Sequence, residues 1–119
     1  MNRAQFLRLA LILAVVFAVT MALLPNPPKM PIDRFGDKFG HMLAFATIAL
    51  LAALSYPQAR LFRIGERLSF LGAMIEVLQS IPSLHRDCDI HDWIADTLAI
   101  TVVLLIVWSV RRRRGARLP

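Results

Sequence analysis

Three pairs of polar residues in this 119-residue chain have the spacing of one helical face: Asp37 with His41, Glu76 with Gln79, and Asp92 with Asp96. Residues three or four apart are neighbours on a helix surface, so each pair sets two polar groups side by side. Carboxylates beside an imidazole suit proton transfer, with Glu76 or Asp92 as candidate general acid or base and His41 as its partner. Asp89, Asp92 and Asp96 are candidate oxygen donors to a divalent cation, because hard cations take carboxylate oxygens; their spacing alone is a weak metal signal. Lys38 and Arg86 bring positive charge to the same stretches, and a guanidinium fork grips two oxygens of a phosphate at once.

The elements that must position these groups are strongly apolar. Hydrophobic residues make up 57% of the chain and mean hydropathy is +0.58, beyond the usual range of a soluble domain. The length allows one domain. The apolar runs predict helices at about 6–24, 38–56, 63–81 and 92–110, each near the ~20 residues that cross a bilayer. The first run has the basic start of a secretory signal but no A-x-A cleavage site before the prolines at 25–31, which favours a retained span. Pro57 and Pro82 end the second and third runs, since proline lacks the N–H and clashes with a continuing helix. The uncharged core of the third run, 68–81, is short, and it reaches full length only if Arg63 and Arg67 snorkel back to the interface. Ser69, Gly72, Ala73, Glu76, Gln79 and Ser80 share one face of it, the small and polar pattern of a protein-facing side in a membrane helix.

Charge placement sets an expected orientation. The formal net charge is +6, but the basic residues flank apolar runs and are not interleaved with stacking aromatics, so nucleic acid is not an expected partner. Arg3, Arg8, Arg60, Arg63, Arg67 and the arginines at 111–114 and 117 fall on one side, opposed only by Glu66. Lys29, Arg34, Lys38 and Arg86 fall on the other, among the aspartates. The positive-inside rule then predicts an all-α, four-transmembrane-helix bundle with both termini cytoplasmic. Tyr56, Trp93 and Trp108 stand near predicted span ends, as in an aromatic belt. The single Cys88 forms no internal disulfide and says nothing of redox compartment.

Each polar residue also has a structural reading. Asp37 and Asp92 suit helix N-caps, His41 an interfacial hydrogen bond, and Gln79 a link between two helices. Arg86, Asp87 and Asp89 suit a solvated loop, and His85 and Cys88 stand at the edge of the pattern. Glu76 and Asp96 lie inside apolar segments, where no solvent face is available, so a task or an obligatory partner is expected of them. An ion pair of Arg86 with Glu76 or Asp96 is the main structural rival.

In order and spacing, DKFGHMLAFATIALL followed by EVLQSIPSLHRDCDIHDWIADTLA resembles the VanZ-like family of small integral membrane proteins. The matching positions are Asp37, Lys38 and His41; Glu76 and Gln79; Arg86 and Asp89; and Asp92, Asp96 and Thr97, over roughly 37–110. The loop departs from the pattern in carrying His85, Cys88 and His91. The resemblance implies a multi-pass protein of the bacterial inner (cytoplasmic) membrane, connected with the cell envelope and by its name with glycopeptide-antibiotic (teicoplanin) tolerance. It supplies no biochemical activity. With the residues, it frames one leading expectation: an outward-facing pocket formed by Asp37, Lys38, His41, Glu76, Gln79, Arg86, Asp89, Asp92 and Asp96 that binds an anionic envelope lipid or lipid-linked precursor. The alternative is a membrane-embedded enzyme acting on a lipid phosphate or peptidoglycan precursor through carboxylates, His41 and a divalent metal. A proton relay through Glu76, His41 and Asp96 is a third reading. It needs a homodimer and lacks polar residues in the inner half of the spans.

Overall fold

A computed structural model describes residues 1–24, 37–81 and 89–117, the side chains of residues 37, 38, 116 and 117 excepted. Within them the chain forms four α-helices and no strand: α1 (Arg3–Leu23), α2 (Asp37–Ser55), α3 (Leu61–Gln79) and α4 (Ile90–Arg117). The all-helical architecture is the one expected. Two of its boundaries differ for local reasons.

Helix α1 begins before the predicted residue 6 because Asn2 and Gln5 form a capping box. The Asn2 side chain accepts the Gln5 N–H at 2.8 Å and the Gln5 side chain accepts the Asn2 N–H at 3.1 Å, which satisfies two N–H groups that the first turn leaves without helical partners. Helix α4 runs beyond the predicted residue 110, through the arginine cluster. Arginine ends the apolar span but is a good helix former, and positive charge suits the negative end of the helix dipole. Helices α1 and α2 stop at Leu23 and Ser55, shortly before Pro25 and Pro57, because the residue before a proline is pushed out of helical geometry. The Tyr56 N–H still bonds to the Ala52 carbonyl at 3.1 Å, completing the last turn of α2.

Helix α4 packs against α2 and α3, and α1 lies against α2. The interior holds Phe45, Ile48, Ala49, Ala52 and Ala53 of α2, Ile64 and Ile75 of α3, and Ile100 and Leu104 of α4. Small residues set the spacing between helices. A Cβ on Gly72 would stand 3.4 Å from Trp93 Cδ1 and 3.6 Å from Phe45 Cζ, so three helices meet at that point. The outside is apolar too. Ala22 is the buried residue of α1, whereas Phe6, Ile12, Leu13, Val16 and Phe17 are more than half exposed, as are Leu98, Val102, Leu105 and Ile106 of α4. A water-soluble monomer rarely shows such a continuous apolar surface. Helix α1 and the 90–115 part of α4 are long and apolar enough to cross a membrane.

The contact at Gly72 makes a stability prediction. Gly72→Ala meets only ordinary van der Waals distances and should be tolerated. Gly72→Leu should lower stability by about 1–3 kcal/mol through overpacking against Trp93 and Phe45. Thermal unfolding of the detergent-solubilised protein checks this, and an unchanged Tm for Gly72→Leu would contradict the three-helix contact.

Candidate functional site

The up-and-down run of the chain brings the C-terminal ends of α1 and α3 and the N-terminal ends of α2 and α4 to one end of the bundle. Three polar side chains are buried there: Glu76 at 6% exposure, Gln79 at 2% and Asp96 at 3%. They belong to the residues that the sequence sets inside apolar segments, and burial makes a hydrogen-bond partner important for each.

Glu76 and Gln79, one turn apart on α3, each bond to a different helix or its approach. Glu76 Oε2 accepts the Asp89 N–H at 3.0 Å. Gln79 Nε2 donates to the Ala22 carbonyl at the end of α1 at 2.9 Å. Asp89 in turn shapes the start of α4. Its Oδ1 accepts the His91 N–H and lies 2.9 Å from His91 Nδ1. The capping role considered for Asp92 therefore falls to Asp89. Asp92 instead stands in the first turn of α4, where a carboxylate faces the positive end of the helix dipole.

The predicted convergence of the three polar pairs can be followed where side chains are described. Glu76 lies within electrostatic range of His41, Asp89 and Asp92, and Asp96 within range of Asp92 and Glu76. His41, Glu76, Asp89, Asp92 and Asp96 thus occupy one end of the bundle, beside Gln79. The side chains of Asp37 and Lys38 lie outside the described residues, as do His85, Arg86, Asp87 and Cys88 entirely. Among the described residues no group of three or more histidine, cysteine, aspartate and glutamate side chains is placed to hold a metal ion, so Asp89, Asp92 and Asp96 do not form such a group by themselves.

Two buried acceptor atoms in this region have no hydrogen-bond partner among the described residues: Gln79 Oε1 and Asp96 Oδ1. Buried side-chain polar atoms are nearly always paired, and each exception calls for an explanation. The chemistry on offer is therefore that of a buried, acceptor-rich cluster around a carboxylate, suited to groups that carry hydroxyl, amide or ammonium hydrogens.

One inward layer was not anticipated from the sequence. Ser69 Oγ and Thr97 Oγ1 lie 3.0 Å apart between α3 and α4, and Trp93 Nε1 donates to the Ser69 carbonyl at 2.9 Å. Trp93 is thereby engaged with α3, a contact absent from the aromatic-belt reading. The small residues on the face of α3 were the available signal, since a close helix approach lets an indole reach a neighbouring backbone. At the opposite end Arg111 Nη2 donates to the Ala53 carbonyl at 2.8 Å. There Arg8 also stacks 4.9 Å from the centre of the Tyr56 ring, and Arg112 lies 5.2 Å from that of Trp108.

Gln79→Leu is expected to lower stability by about 1–3 kcal/mol, because it leaves the buried Ala22 carbonyl without its donor. Chemical denaturation in detergent measures this; a variant as stable as the original would mean that the α1–α3 link contributes nothing. Compared with protein-family models, curated proteins and solved structures, the chain matches none of them.

Proposed function

We propose that this chain is a four-span membrane protein of VanZ-like type, with its arginine-rich end in the cytoplasm and its carboxylate end facing outward. There it binds an anionic cell-envelope lipid or a lipid-linked envelope precursor. The observation that carries the reading is the pair of buried acceptors, Gln79 Oε1 and Asp96 Oδ1, that lie beside Glu76 and have no partner among the described residues. A lipid-linked precursor offers hydroxyl and amide donors for such acceptors and a phosphate for nearby cations. His41 is within range of Glu76, Lys38 stands in the first turn of α2, and Arg86 belongs by sequence to the connection between α3 and α4. The carboxylates orient these cations, and the cations hold the phosphate.

The four-span arrangement draws support from α2 and α3, which match α1 in length to about one turn, at roughly 30 Å, and expose Leu43, Leu50, Phe62, Phe70 and Val77 outward. The orientation draws support from the clustering of arginines at one end. The link to glycopeptide tolerance rests on the resemblance alone. Turnover of the bound precursor would be work for Glu76 or Asp92 with His41, whose proximity favours this as a second reading.

Two outcomes are expected. In native mass spectrometry of the detergent-extracted protein, an anionic lipid or precursor adduct should be retained. Arg86→Ala should weaken it about tenfold or more, the worth of one charge-assisted hydrogen bond. Asp96→Leu should weaken it similarly while holding or raising Tm, because replacing a buried charge by a well-packed apolar group is often neutral or stabilising. Full retention in both variants would overturn the binding reading, a lower Tm in Asp96→Leu would make the carboxylate structural, and release of phosphate from added precursor would shift the reading to catalysis. For topology, a fluorescent reporter fused after Pro119 should mature in the cytoplasm and an alkaline-phosphatase fusion there should be inactive; the reverse pattern would invert the proposed orientation.

A further inference from the structure

The arginine end of the bundle contains a cavity of about 520 Å³, within the size range of ligand pockets, between the end of α2 and the start of α3. Arg60, Arg63 and Arg67 line it together with Tyr56, Ile64 and Leu68. Arg63 and Arg67, four residues apart, share one face of α3, and Arg60 is its N-cap residue.

These guanidiniums differ from others at the same end. Arg8 is stacked on Tyr56, Arg111 donates to the Ala53 carbonyl and Arg112 lies over Trp108. Among the described residues Arg60, Arg63 and Arg67 make no ion pair and donate no hydrogen bond. The first turn of α3 contains no acidic residue, and Glu66 is not part of the lining. Three arginines of five N–H donors each thus stand at a space that they line together with Ala52, Tyr56, Ala59, Ile64 and Leu68.

We propose that this cavity is a cytoplasmic-side site for an anionic phospholipid, with its phosphate held by Arg60, Arg63 and Arg67 and its glycerol and first acyl carbons lying on Ile64 and Leu68. The aliphatic wall selects a lipid over a free phosphate, which would leave that surface wet. Basic pockets between helices on the cytoplasmic side are suited to anionic head groups. The site is distinct from the carboxylate end and rests on the membrane reading for its access to lipid.

The test uses the full chain in neutral detergent, where membrane sidedness plays no part. Phosphatidylglycerol, phosphatidylcholine and glycerol 3-phosphate are titrated separately and adducts counted by native mass spectrometry. Phosphatidylglycerol should bind about tenfold or more tightly than phosphatidylcholine, and that preference should disappear in R60Q/R63Q/R67Q, given roughly tenfold per few charge contacts. It should be retained in Arg113→Gln, an arginine that is not part of the lining. If the triple variant does not fold, Arg63→Gln should weaken the adduct several-fold, and the wild-type adduct should weaken with added salt. Equal binding of phosphatidylcholine overturns the proposal, as does full retention by the variants of the lining arginines. Glycerol 3-phosphate binding as tight as that of the lipid would make the cavity a soluble-anion site and overturn the lipid assignment. Release of the chain from membranes by alkaline carbonate would instead fail the membrane reading, separately from the anion preference in detergent.

Discussion

A polar group taken into an apolar interior without a hydrogen bond costs on the order of several kcal/mol, and this bundle takes in three at one level. Glu76, Gln79 and Asp96 are buried on α3 and α4, whose buried apolar positions are Ile64, Ile75, Ile100 and Leu104. Much of the local structure answers that constraint. The Glu76–Asp89 bond fixes where the chain enters α4, and Asp89 then organises the first turn through His91. The Gln79–Ala22 bond ties the end of α1 to α3, which matters because α1 contributes so little else to the interior. Gln79 Oε1 and Asp96 Oδ1 remain without a partner among the described residues. Stability alone would not select that arrangement, since an apolar residue of similar volume removes the cost.

The other end of the bundle has the opposite imbalance. There the surplus is of donors, on Arg60, Arg63 and Arg67 around a cavity with an aliphatic wall. An acceptor surplus at one end and a donor surplus at the other are the chemical counterparts of two different molecular surroundings. The apolar exterior of α1 and α4 joins them. In the proposed membrane setting this distribution would orient the chain, because moving the arginine end through hydrocarbon would cost far more than leaving it in place.

Which parts of this were readable in the sequence follows from the range of the interactions. The four helices were readable because hydrophobic runs and prolines act locally, as at Pro57. The meeting of His41, Glu76, Asp92 and Asp96 was readable because helical spacing and alternating chain direction together fix both face and depth. The early start of α1 was written in Asn2 and Gln5 but is a two-residue signal, easily passed over beside a long apolar run. The extension of α4 was hidden because arginine ends a hydrophobic pattern without ending a helix. The Gln79–Ala22 and Trp93–Ser69 bonds were not readable, since each uses a backbone carbonyl, which every residue possesses. The arginine-lined cavity was obscured for a different reason: juxtamembrane arginines have a sufficient explanation in orientation, and only their lack of partners separates the two roles.

The interior between the two ends bears on what kind of function the carboxylates serve. Below Asp96 lies the Ser69–Thr97 hydroxyl pair, whose oxygens are engaged with each other. Further in, the packing is Ile48, Ala49, Ala52, Ile64 and Leu104, with no ionisable side chain among them. Between that layer and the carboxylates, Gly72 lets Trp93 and Phe45 approach α3 closely. A relay that carried protons across the bundle would have to cross this layer without a titratable step, whereas a site that holds a ligand at the outer end requires nothing of it.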